Sequence, residues 1–171
     1  DLLQKMLTKN RVYEVNKGET QKLYDEWMQK CKELVVHSSL SEFKKSIYDM
    51  VNDFEKIELD TSIKKPKVGI VGEVLIKYHP FGNNFIAEKL EQEGAEVILP
   101  DFMGFVKFMA THKITFNTLI KTDKYKAKIF KLAIKLIDIL EKDERIALAN
   151  SKKAYLQPCD IWELENKVKD I

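Results

Sequence analysis

The stretch Val68-Gly69-Ile70-Val71-Gly72 constrains the fold more than any other part of this chain. It is short and almost continuously apolar, as strands buried on both faces of a parallel sheet are. A polar lead-in, Lys64-Lys65-Pro66-Lys67, runs into it and reads as a solvated linker. A loop through Tyr78-His79-Pro80 leads on to Gly82-Asn83-Asn84. A helix then carries Phe85, Ile86 and Leu90 and closes at Gly94, a favoured residue for a helix C-terminus. Residues 96–99 form the next strand, stopped by Pro100-Asp101. Strand, helix and strand in this order make a βαβ unit with parallel strands and a right-handed crossover. Two parallel strands seldom make a stable sheet alone. Further strands are therefore expected from outside this chain, from a partner, or from residues 11–15, where charged and apolar residues alternate.

Residues 1–18 are transitional and residues 58–67 a polar linker; the rest reads as helix. Leu23, Tyr24, Trp27, Met28, Cys31, Leu34 and Val35 recur at helical spacing over about residues 20–36. After the break at Ser38-Ser39, a second helix from about residue 41 carries Phe43, Ile47, Met50, Val51 and Phe54, with Ser39 or Ser41 as N-cap. So short a break gives an antiparallel helical hairpin, expected to pack through Trp27 and Phe54. Beyond the sheet, Phe102, Phe105, Val106 and Met109 share a face. A long helix is expected over roughly residues 123–148, with Ile129, Leu132, Ala133, Leu136, Ile137 and Leu140 inward. A last helix from about residue 160 buries Ile161, Leu164 and Val168. The predicted class is a helix-rich α/β fold: a short parallel sheet with a βαβ unit, flanked by an N-terminal helical hairpin and C-terminal helices. The division falls into residues 1–60, the helical segment, and residues 61–171, the α/β lobe.

Charge narrows the function. The 29 basic and 27 acidic residues are interspersed, so no broad basic surface for nucleic acid is expected. No apolar run approaches the ~20 residues of a membrane helix, so no membrane is expected as a partner. Cys31 and Cys159 match no metal-ligand spacing and suit a reduced, cytoplasmic setting. The chain begins at Asp1 and ends at Ile171 on a helical pattern, and reads as part of a longer protein.

In open α/β sheets, ligands bind beyond the carboxyl ends of the strands. Those ends carry Gly72, Glu73 and Asp101, and the first loop adds Lys77, His79, Asn83 and Asn84. These seven are the candidate cleft residues, for substrate or cluster; none is assigned a catalytic or metal-binding role. The two glycines of the first strand lie inside it, and no Gly-Lys-Ser or Gly-Lys-Thr occurs, so no nucleotide fingerprint is present. Asn83 or Asn84 equally caps the following helix, and Asp101 the helix at Phe102. For Glu73, a functional contact and a structural hydrogen bond stand level. His37 and His112 are read as helix-end residues, where a cation suits the helix dipole. Cys31 is read as core, and Cys159 as a thiol whose pKa a helix N-terminus lowers.

The stretches Lys65-Pro66-Lys67-Val68-Gly69-Ile70-Val71-Gly72-Glu73-Val74, Lys77-Tyr78-His79-Pro80-Phe81-Gly82-Asn83-Asn84 and Leu90-Glu91-Gln92-Glu93-Gly94-Ala95-Glu96-Val97-Ile98-Leu99-Pro100-Asp101 resemble the large activase-related proteins of the 2-hydroxyacyl-CoA dehydratase family. So does Arg11-Val12-Tyr13-Glu14-Val15-Asn16-Lys17-Gly18-Glu19-Thr20, where relatives often have Pro in place of Val12. The resemblance implies α/β lobes with short parallel sheets. It also implies ATP-driven, low-potential electron transfer between iron–sulfur clusters and radical removal of water from 2-hydroxyacyl-CoA. An iron–sulfur cluster and ATP with Mg are then expected in the full-length protein and no cofactor in this stretch, since the family's cysteine-bearing stretches and phosphate loops lie outside the matched region. The implied partners are other domains of the same polypeptide, the activase and cluster-bearing lobes. The expected role is a lobe that walls the site without catalysing alone. The alternative is a non-catalytic scaffold or subunit-interaction module.

Overall fold

A computed structural model describes residues 1–120 and 124–169. It is a helix-rich α/β fold. Helix α1 (Leu2–Arg11) buries Leu2, Leu3, Met6, Leu7 and Asn10 and is the hub of the packing. It touches α2 (Glu19–His37), α3 (Leu40–Glu55) and strand β2 (Glu96–Ile98). Between α1 and α2 the buried Glu14 carboxylate accepts from the Gly18 and Thr20 amides, both at 2.8 Å. It thereby satisfies amide groups that every helix start leaves open. Ser39 opens α3 with a capping box: its hydroxyl accepts from the Glu42 amide and Glu42 accepts from the Ser39 amide. The hairpin closes around Trp27 and Phe54, whose cluster takes in Leu2, Met6, Ile47, Met50, Leu148 and Tyr155. This main core draws on residues from both sides of residue 60. Each large apolar side chain fully buried there contributes ~1.5–3 kcal/mol.

Strand β1 (Lys67–Gly69) pairs in parallel with β2, in the register Lys67↔Glu96, Val68↔Val97, Gly69↔Ile98. Two short helices, α4 (Val74–Tyr78) and α5 (Ile86–Gln92), make the crossover. Gly94 has φ +89°, and the Ala95 amide reaches back to the Leu90 carbonyl at 2.9 Å, so the glycine closes α5 as expected. The rest is α6 (Phe102–Leu119), α7 (Lys124–Leu140), α8 (Lys142–Ala149) and α9 (Ile161–Lys169).

Several expectations are corrected. The first strand is short and open to solvent rather than buried: it ends at Gly69, and Gly72 lies in a bend beyond it at φ +150°. Residues 11–15 add no strand to the sheet. They form the end of α1 and a turn, with an isolated antiparallel bridge from Glu14 to Leu59. The long helix is two helices, with a turn at Glu141 between Leu140 and Lys142. The stripe of Ile129, Leu132, Leu136 and Leu140 faces outward, and Ile134 is the residue sealed inside against Ile114 and Ile161. Leu164 is half-exposed, and the Val168 side chain lies outside the described residues. His112 sits mid-way along α6, not at a helix end.

Candidate functional site

A cleft of about 800 Å³ opens between the helical hairpin and the carboxyl ends of the two strands. Leu3 and Leu7 of α1, Tyr24 and Cys31 of α2 and Met50 of α3 wall one side. Lys77, Tyr78, Asn83, Pro100 and Asp101 wall the other. The tip of the strands is held in place locally. The Tyr78 hydroxyl donates to the Pro100 carbonyl, and its ring packs edge-on against Phe102 at 5.9 Å. Burial pushes the Tyr78 phenol up, with Asp101 adding to the shift, so it stays a donor.

The seven candidates divide. Lys77, Asn83 and Asp101 line the cleft, and Gly72, Glu73, His79 and Asn84 do not. Glu73 is the N-cap of α4, accepting from the Leu75 amide at 2.8 Å and the Ile76 amide at 3.1 Å. His79 Nδ1 accepts from the Gly82 amide at 3.0 Å, which folds the loop on itself. Asn84 is an exposed left-handed residue, φ +59°. Asn83 ties the crossover together: its amide donates to the Ile76 and Lys77 carbonyls, and its Oδ1 accepts from the Ile86 amide at 3.3 Å.

Asp101 has partners that no local pattern reveals. Lys5 Nζ lies 2.8 Å from Asp101 Oδ1 and 3.0 Å from Glu144 Oε1, and the Cys159 amide donates to Asp101 Oδ2 at 2.8 Å. The N-terminus of α6 is instead served by Asp1, which accepts from the Phe102 and Met103 amides at 3.1 and 3.0 Å. Arg11 is likewise engaged, with Nε 2.7 Å from Glu91 Oε2 and Nη1 donating to Gln21 at 3.0 Å. Burial raises the pKa of Glu91 while Arg11 pulls it down. Lys77, by contrast, makes no ion pair among the described residues; its Nζ rests 4.7 Å over the Tyr78 ring.

The residues present do not fit an iron–sulfur cluster, which needs several cysteine thiolates. Cys31 sits on the cleft wall and Cys159 in the loop before α9, and burial pushes both thiols up. The expected lowering at Cys159 is therefore reversed: its amide binds Asp101, and the nearby Lys107 only partly offsets burial. Among the described residues no group of three or more His, Cys, Asp or Glu is placed to hold a metal ion. No described helix is long and apolar enough to cross a membrane. Chemically, the cleft offers an apolar wall and, in Lys77, a cation without an ion pair among the described residues, which suits an apolar ligand with an anionic group. Compared with protein families, characterised proteins and solved structures, the chain matches none of them.

Proposed function

We propose that this chain is one lobe of an ATP-driven, iron–sulfur protein related to the activases of 2-hydroxyacyl-CoA dehydratases, forming a wall of its substrate or cluster site without catalysing alone. The observation that carries the reading is the cleft of about 800 Å³ at the strand carboxyl ends. Its second wall is built from residues 77–101, the stretch that also carries the family resemblance. Clusters and ATP belong to the other lobes in this reading, because the two half-buried thiols here do not form a cluster site. Lys77 is the residue assigned to an anionic group of the bound molecule.

The gene that carries this chain is expected to encode activase phosphate loops before it and cysteine-bearing stretches after it. In that protein, purified without oxygen, Lys77→Gln should retain folding and iron content and lower ATP-dependent turnover of a 2-hydroxyacyl-CoA about tenfold or more, since a charge-assisted hydrogen bond contributes ~1.5–3 kcal/mol. Unchanged turnover would remove Lys77 from the site. A reading frame that ends near Ile171 would favour the alternative, a non-catalytic interaction module. That alternative draws its support from the exposed apolar side chains Phe108, Phe116, Leu132 and Leu136 on α6 and α7.

A further inference from the structure

The overall charge balance of +2 conceals a segregation. Residues 102–140 hold eight Lys and two Asp, with no Arg or Glu, against 21 basic and 25 acidic residues in the rest of the chain. We propose that α7 is an interfacial helix: it lies along the surface of an anionic membrane, its outward apolar stripe in the boundary between headgroups and acyl chains. Seen down its axis, at about 100° per residue, α7 has three sectors. Ala127, Phe130 and Ile134 pack inward with Ile114 and Ile161. Tyr125, Ile129, Leu132, Leu136, Ile139 and Leu140 lie opposite, within an arc of about 100°. Each of these six is at least 53% exposed. Lys128, Lys131 and Lys135, all exposed, form a row along one border of that arc. Asp138, the one acidic residue of α7, lies outside the arc and is bonded to the buried Lys107 at 3.2 Å.

Charge says what covers the stripe. The surface that meets it must accept an apolar band and a parallel row of cations, and must bring negative charge of its own. The cores of protein interfaces are depleted in Lys and enriched in Arg, whereas every cation here is Lys. A lysine stem lies along apolar surface while its ammonium reaches out to phosphate, so this row can stay paired as the stripe sinks. With six charged residues in 17, α7 is far too polar to be buried whole. An apolar stripe bordered by lysine on such a helix is the pattern of helices that lie in the interface plane. The neighbouring α6 holds no acidic residue to repel anionic lipid. The expectation of no membrane partner rests on span length, which a helix lying on the surface does not need. This inference stands apart from the cleft, and its test involves neither Lys77 nor a cluster.

The test mixes the chain with vesicles of phosphatidylcholine containing about a third phosphatidylserine, or with phosphatidylcholine alone, and reads the bound fraction by sedimentation. Binding should be at least roughly tenfold tighter to the anionic vesicles, and should weaken steeply as salt rises from ~0.1 to ~1 M. Lys128→Gln, Lys131→Gln and Lys135→Gln together should weaken it roughly a hundredfold, about fivefold for each lysine near the surface. The same change at Lys22, Lys32 and Lys45, exposed on α2 and α3, removes equal charge and should shift binding less than about fivefold. Leu132→Ser with Leu136→Ser should weaken it at least roughly tenfold, with the circular dichroism of the chain unchanged because both side chains are already half-exposed. The proposal is overturned if the chain does not bind anionic vesicles, if the two lysine triples act alike, or if the serine variant binds normally. A chain that dimerises without lipid, and is made monomeric by the serine substitutions, would assign the stripe to a second copy and overturn it equally.

Discussion

Lys107→Met is the most informative perturbation of this fold. Lys107 lies on α6 with no solvent exposure. Its ammonium sits 2.7 Å from Glu141 Oε2, 3.2 Å from Asp138 Oδ1 and 2.6 Å from the Cys159 carbonyl, so all three of its donors are used. Methionine keeps most of the apolar stem and removes the charge. Glu141, 8% exposed, is left with Arg145 at 3.2 Å, and the Cys159 carbonyl with the same Arg145 at 3.1 Å. Breaking a buried ion pair from one side costs ~3–5 kcal/mol. Arg145 remains, and Asp138 can turn to water, so the lower end, ~3 kcal/mol, is expected. Urea unfolding followed by circular dichroism is the assay; at a slope of ~1–3 kcal/mol per molar, the midpoint should fall by ~1–3 M. Glu141→Leu should cost a similar amount, and the double variant less than the sum, by ~0.5–3 kcal/mol. A midpoint shift under about 0.3 M at unchanged slope, or full additivity, would show that the cluster does not hold α6, the α7–α8 junction and the Cys159 loop together.

Phe54→Ala should cost ~3–5 kcal/mol, because the ring is fully buried at the centre of the main core, and a loss under about 1 kcal/mol would show that the hairpin does not close there. Ser39→Ala should lower stability by about 1 kcal/mol in the same urea assay and fray the first turn of α3 by amide exchange. The Tyr155 phenol is raised above its ordinary 10.0, first by burial, with the hydrogen bond to Asn10 pulling the other way. The folded state thus keeps that proton to higher pH than the unfolded chain does, so its contribution is intact below about pH 10 and is lost as pH rises through the folded pKa. Tyr155→Phe should flatten this alkaline loss while costing ~1–3 kcal/mol at neutral pH, since the buried Asn10 loses its partner; an unchanged alkaline slope would refute the assignment.

The hairpin helices α2 and α3, the helix α5 closed by Gly94 and the parallel pair were legible in the sequence because periodicity and turn residues mark them locally, whereas α4 lies in the stretch read as a loop. Burial was not legible where a helix has two apolar arcs. On α7 the repeat of Ile129, Leu132, Leu136 and Leu140 is the stronger stripe, yet Ile134 is the buried residue. The break at Glu141 carries no glycine or proline to announce it. At the cleft, the loop after β1 was legible as a concentration of polar groups, but their commitments were not. Glu73, His79 and Asn83 resolve into caps and turn bonds within the same segment. Asp101 depends on Lys5 and the Cys159 amide, which come together only through the tertiary fold.

The position of α1 at the hub has a consequence for synthesis on the ribosome. A ten-residue helix is too short to persist alone in water. Its anchors are all made later: Lys9 waits for Glu96, Lys5 for Asp101 and Glu144, and Asn10 for Tyr155, 145 residues on. At ~5–20 residues per second, roughly 7–30 s separate the emergence of Asn10 from that of Tyr155. Throughout that interval Leu2, Leu3, Met6 and Leu7 have no completed core to enter, so α1 stays open to chaperones and is locked only when residues 144–155 arrive.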